Sequence, residues 1–228
     1  MIAGLSGSLL SHDAVSGGPR LSVQEDEARV LASRARLRTW HASVLREMGP
    51  SSCARAVYDR VGVPLMSEFG FRLKPIATES GEMLRAVLHT GSAPAAALVV
   101  TAWGREPGGV WREGVRLGIG SSVRWCIFLN GPVLRVVDAR RTYSRRFVEF
   151  DLETTIRDSS TFAIFRGLLS ASAFSRSPMP LLDEAVHVSE EHRTEVRTSL
   201  QHGVHEALER LVSAFARAPR RRPAPPAG

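Results

Sequence analysis

With 228 residues, 43% of them hydrophobic and 23% charged, the chain has room for one sizeable core, or one core plus an appended helical layer, and the composition of a water-soluble globular protein. Its most apolar run, residues 95–103, falls far short of the ~18 apolar residues that cross a bilayer, so no membrane partner is expected. The net charge is +7, but Arg217, Arg220, Arg221 and Arg222 of the tail supply four of those charges. The rest of the chain is then only mildly basic, which makes the charge a weak argument for nucleic acid.

Residues 1–21 are small and polar, contain Gly17-Gly18-Pro19, and read as a flexible arm without the basic start or apolar run of a signal peptide. Ser22 is placed to cap a helix over residues 23–48, with Glu25, Asp26 and Glu27 in the first turn complementing its dipole. Leu37, Trp40, Val44 and Met48 share one face of that helix. Gly49-Pro50 ends it, and a second helix over 51–61 turns Ala54, Val57 and Tyr58 inward. Residues 62–74, with Pro64 and Gly70, read as extended. Strands are expected over 69–76, 83–89 and 96–102, although the sequence around 83–89 also suits a helix. A short helix over 110–119 points Val110, Trp111 and Val115 inward and stops at Gly120.

Residues 123–129 and 133–139 are two β-rich runs joined by Asn130-Gly131, the pair that most readily forms a tight hairpin. In the first run Trp125, Ile127 and Leu129 point one way and Cys126 and Phe128 the other. Both faces are apolar, the pattern of a central strand covered on both sides. A third strand over 147–152 places Val148, Phe150 and Leu152 on one face and Phe147, Glu149 and Asp151 on the other. Asp158 or Ser159 starts a helix over 161–173, with Phe162, Phe165 and Leu169 on one face. The last helix, 181–216, carries Val196, Leu200, Val204, Leu208, Leu211 and Phe215 at spacings of four, four, four, three and four, an apolar stripe that must pack on something. The domains read from this pattern are the arm (1–21), an α/β core (22–153), a helical extension (154–216) and a disordered basic, Pro-rich tail (217–228).

Helix, three strands, helix, then a strand pair is the order of a PD-(D/E)XK nuclease-like core, a mixed sheet flanked by helices. An active core of that kind needs a carboxylate on its second strand and E-x-K on its third, to hold Mg²⁺ and activate a water. Residues 97–104 read ALVVTAWG, and the only lysine, Lys74, lies before the wrong strand, so no catalytic residue and no cofactor is expected. Glu149 and Asp151 point to the same side of a strand and are weak metal candidates against the plainer reading of a strand end and a helix start. His187 and His192, and His202 and His205, have no third ligand. Cys53 and Cys126 show neither metal nor disulfide spacing; they read as small buried side chains of a cytoplasmic protein. Arg135, Arg140, Arg141, Arg145 and Arg146 form a basic cluster with two open readings, contact with DNA phosphates or a solvated turn.

The stretch RWCIFLNGPVLRVVDARRTYSRRFVEFDLE, residues 124–153, resembles the pattern W…NG…R(L/V)…(F/Y)xEFDL. That pattern belongs to the N-terminal region of large bacterial type IIG-like restriction–modification methyltransferases, ahead of the methylase domain. YDRVGVPLMSEFGF, WREGVRLGIGSSVRW, TFAIFRGLLSASAF and EVRTSLQHGVHEALERLVSAF extend the likeness over about residues 30–216. The family's glycine loop for S-adenosylmethionine and its N-P-P-(Y/F) motif are absent. The resemblance therefore implies the non-catalytic front module of a phage-defence enzyme, with DNA and a separate methyltransferase as partners. The alternatives are a protein-interaction scaffold that uses Val196–Phe215 as its interface, and an Mg²⁺-dependent nuclease with its site moved to Glu149 or Asp151.

Overall fold

A computed structural model of the chain describes residues 2–16, 27–77, 81–141 and 145–217. It divides into a first unit, Met1–Ser189, and a second, Glu190–Gly228. In chain order the elements are β1 (Leu5–Gly7), α1 (His12–Ser16), α2 (Glu27–Glu47), α3 (Ala54–Val57), a π-helical turn (Tyr58–Gly62) and α4 (Val63–Glu68). They continue with β2 (Arg72–Ile76), β3 (Met83–Thr90), β4 (Ala93–Thr101), a 3-10 turn (Pro107–Val110), α5 (Trp111–Gly120), β5 (Trp125–Leu129), β6 (Val133–Asp138) and β7 (Phe147–Asp151). Last come α6 (Leu152–Arg157), α7 (Ser159–Leu169), α8 (Ala171–Phe174) and α9 (Leu181–Arg217).

The strands make one mixed seven-stranded sheet in the order β1-β7-β6-β5-β4-β3-β2. β2, β3 and β4 form an antiparallel meander, α5 carries the chain over to β5 parallel to β4, and β6, β7 and β1 follow antiparallel. β5 is the middle strand, and all five of its residues are buried. Trp125, Ile127 and Leu129 enter a large core shared with Leu37, Leu65, Phe162, Phe165 and Leu182 from the helices. Cys126 and Phe128 enter a smaller core with Val99, Val110 and Val137. α5 covers this second face closely because Gly114 and Gly118 point at it. A Cβ on Gly114 would lie 2.2 Å from Cζ of Phe128, and one on Gly118 2.7 Å from Sγ of Cys126. In the large core Phe165 packs against Phe69 and Phe150, with ring centroids 4.9 and 4.7 Å apart; burying each such ring contributes on the order of 2 kcal/mol.

Several expectations change in detail. The hairpin forms, but its two-residue centre is Gly131-Pro132, because Leu129 pairs with Leu134 and Asn130 donates its N–H to the Val133 carbonyl at 3.2 Å. Gly131 takes the positive φ of 96°, the position where a type II′ hairpin turn requires glycine. The Asn130 side chain takes the remaining bond, its Oδ1 accepting from the Val133 amide at 2.9 Å. The helix expected over 51–61 starts at Ala54 and runs through Gly62 and Pro64 to Glu68. Proline at 64 has no N–H for the carbonyl of Arg60 one turn earlier, and the Trp40 indole occupies that carbonyl instead, at 3.2 Å. Residues 5–7, read as part of a loose arm, pair with β7 as an edge strand. The ambiguous segment at 83–90 is a strand.

The helices after residue 153 belong, as far as Ser189, to the same unit as the sheet. Ile156, Phe162, Phe165, Leu168, Leu181, Leu182 and Val186 belong to the same core as the sheet, so the first unit runs to Ser189. Cys53 is exposed rather than buried, at the N-cap of α3. Its thiol is held below the ordinary value by the amides of Ala56 and then Arg55. Cys126 is buried, and loss of solvation pushes its thiol up to about 12. The Ser22 cap with Glu25 and Asp26, and the tail arginines Arg220, Arg221 and Arg222, lie outside the described residues. No described helix is long and apolar enough to cross a membrane.

Candidate nucleic-acid interface

The β6–β7 connection brings four of the five candidate arginines to one end of the sheet. Val137 pairs with Phe147, so Arg140 and Arg141 leave β6 where Arg145 and Arg146 lead into β7. Arg140, Arg145 and Arg146 are exposed, and Arg141 is partly buried. The backbone of Arg140 and Arg141 is anchored by Asp138, the last residue of β6. Its Oδ1 accepts the Arg140 amide at 2.9 Å, and its carbonyl accepts the Arg141 amide at 3.2 Å.

The other oxygen of Asp138 takes the Nε and Nη2 of Arg124, at 3.0 and 2.8 Å. Arg124 also gives Nη1 to Asp183 at the start of α9, at 2.7 Å. Asp183 in turn accepts from the Trp125 indole at 2.6 Å. The Arg124 guanidinium lies 4.5 Å over the Trp125 ring. Burial disfavours its charge, but Asp138 and Asp183 outweigh that effect and raise its pKa above the ordinary arginine value. A buried carboxylate matched by two or three donors stiffens the turn that follows it. The Asp138 side chain is 3% exposed and Arg141 Nε is 3.8 Å from it. The charge of Asp138 is thus committed inward, while the guanidinium groups of Arg140, Arg145 and Arg146 face solvent.

Arg135 is not part of this end. It sits on β6 opposite Glu149, gives Nε to Glu149 at 2.6 Å and Nη1 to Glu106 at 3.0 Å, and lies 4.2 Å over the Phe147 ring. Two carboxylates already match its charge. The same contact occupies Glu149, and Asp151 caps α6 by accepting the Thr154 amide at 2.8 Å. Glu149 is therefore a paired mid-strand side chain rather than a solvated strand end, and Asp151 starts the next helix. Among the described residues no three His, Cys, Asp or Glu side chains are grouped as metal ligands. On β4, where the element order in the sequence called for E-x-K, Ala96, Ala97, Leu98, Val99 and Val100 are each 0% exposed.

The docking candidates on α9 are all exposed, from Val196 at 42% to Phe215 at 77%, with Leu200, Val204, Leu208 and Leu211 between. Sequence reasoning missed Arg124, Asp138 and Asp183. The first two were within reach, because hairpin register alone makes them neighbours across β5 and β6. Asp183 lies 58 residues from its Trp125 partner, and no local pattern announces that contact. Three further polar contacts hold the helices over the large core. Glu68 accepts from Ser33 at 2.7 Å and from Arg36 at 2.6 Å, and Arg166 reaches Ser33 at 2.8 Å. Burial pushes the Glu68 carboxyl up, but the bonds from Arg36 and Ser33 prevail and hold it below the usual range.

The fold and this arrangement define a mixed α/β protein with an arginine-rich sheet end and a long helix that bears an exposed apolar stripe. Compared with family models, curated proteins and solved structures, the chain gives no match.

Proposed function

We propose that this chain is a non-catalytic α/β module of a restriction–modification, phage-defence system, cytoplasmic like the DNA it contacts. It contacts the DNA backbone through the β6–β7 end of the sheet and serves a methyltransferase carried on another polypeptide or domain. The observation that carries the reading is the cluster at this sheet end: Arg140, held with Arg141 by Asp138 at the end of β6, and Arg145 and Arg146 leading into β7, with Arg140, Arg145 and Arg146 exposed. Exposed guanidinium groups meet phosphate oxygens without reading bases, which gives sequence-independent affinity. The element order of helix, antiparallel three-strand meander, crossover helix and parallel strand supports a PD-(D/E)XK-like origin, and the apolar β4 supports a lost active site. The EFDL resemblance supports the link to a methyltransferase. A second reading, an interaction scaffold without DNA affinity, is favoured by the exposure of the α9 stripe.

The test is binding to a labelled duplex of about 30 base pairs by a chain that ends at Arg217, so that the tail arginines after it do not contribute. Four phosphate contacts predict an affinity loss of roughly 100-fold between ~50 and ~200 mM salt. Loss of all binding on removal of the tail would sink the proposal and leave the scaffold.

A further inference from the structure

The apolar stripe of the second unit has a finer period than a general amphipathic pattern. Val196, Leu200 and Val204 are followed by Ala207, Leu211 and Phe215 at the same offsets, two copies of an 11-residue repeat. Such a repeat has ~3.67 residues per turn, close to the ~3.6 of a straight helix, so the stripe stays on one line along the axis for ~30 Å. Leu208 and Val212 lie beside it, and every large side chain of the stripe is at least 42% exposed. Over Glu190–Arg217 the helix's charges are nearly balanced: Glu190, Glu191, Glu195, Glu206 and Glu209 against Arg193, Arg197, Arg210 and Arg217. Association through this helix meets no net repulsion.

We propose that the stripe is covered by the same stripe of a second copy, antiparallel, with the two-fold axis passing between His205 and Glu206. This alignment sets Val196 against Phe215, Leu200 against Leu211, and Val204 against Ala207. Small side chains meet at the middle, where two nearly straight helices cross most closely, and bulky ones fill the space toward the ends. The parallel alternative puts each residue against itself. Arg193 lies on the stripe's line, one repeat before Val204, so two guanidinium groups would then face each other in the seam. In the antiparallel pair Arg193 falls beyond the partner's Phe215 and outside the apolar stretch. The pairing buries roughly 1,200 Å² in total, at the low end for a specific contact, so the dimer is reversible. It gives the scaffold reading a definite occupant and does not depend on DNA.

The full-length chain tests it without DNA, by sedimentation velocity from about 1 to about 100 µM. The expected result is a concentration-dependent monomer–dimer equilibrium. Leu200→Glu and Leu211→Glu each raise its dissociation constant at least ~30-fold, and uncharged Leu200→Gln shifts it in the same direction. Orientation is read by oxidation in a Cys53→Ser background: Val196→Cys chains mixed with Phe215→Cys chains cross-link, and Val196→Cys chains alone do not. A monomer at every concentration, a dimer that survives both glutamate substitutions, or efficient self-linking of Val196→Cys would each overturn the proposal.

Discussion

The two stretches of α9 share one helix and one kind of periodicity but differ in surroundings. Leu181, Leu182, Ala185, Val186 and Ser189 are at most 2% exposed, whereas the large apolar residues from Val196 onward are between 42% and 77% exposed. Periodicity therefore identifies the face that packs, not what it packs against. The sheet offers a parallel contrast between arginines. Arg124 and Arg135 are matched by partly or fully buried carboxylates, while Arg140, Arg145 and Arg146 face solvent.

The helix contrast breaks most visibly by truncation. Leu182→Ala empties part of the large core and is expected to cost about 2–5 kcal/mol in urea unfolding. Leu208→Ala, assayed at low protein concentration, stays within about 0.5 kcal/mol of the parent. Equal costs would mean that the outer stripe is not free. The arginine contrast comes next. Arg124→Ala leaves Asp138 buried without its main partner and is expected to cost about 2–3 kcal/mol, whereas Arg140→Ala leaves stability unchanged and weakens duplex binding.

Two smaller effects concern titration. Burial on α2 lowers the pKa of His41, against the opposing pull of Glu153 and Asp151. The unfolded chain then takes up this proton first as pH falls. Stability is full above the ordinary histidine value of about 6.5 and declines as pH drops through it. His41→Gln is expected to flatten that part of a denaturation-versus-pH curve. Smallest in energy and simplest to read is thiol labelling of the native chain. Cys53 reacts at neutral pH and Cys126, pushed up to about 12, does not until the chain unfolds.

Much of the sheet was legible because local chemistry determines it. The apolar run of β5, covered on both faces, marks a central strand, and Gly131 marks the turn. Asp158 does cap α7, accepting the Thr161 amide at 2.7 Å. The illegible features are long-range or compensated. The pairing of β1 with β7 links Leu5 to Phe150 across most of the first unit, and three residues of small, glycine-flanked sequence do not announce it. Helix continued through Pro64 because Trp40 supplied a donor that sequence cannot place. Gly114 and Gly118 were visible as glycines, but their purpose needs the Phe128 and Cys126 side chains against which they lie. At the candidate site the arginines were legible, and the Arg124–Asp138–Asp183 support beneath them was only half so.

The most direct test of the central claim is the salt dependence of duplex binding by the chain ending at Arg217, compared with the same chain carrying Arg140→Ala, Arg141→Ala, Arg145→Ala and Arg146→Ala. If this sheet end holds the phosphates, the slope of log affinity against log salt flattens by about 0.9 for each arginine–phosphate pair removed, up to roughly 3.6 for all four. Identical slopes for parent and variant would contradict the account and place any DNA surface elsewhere on the molecule.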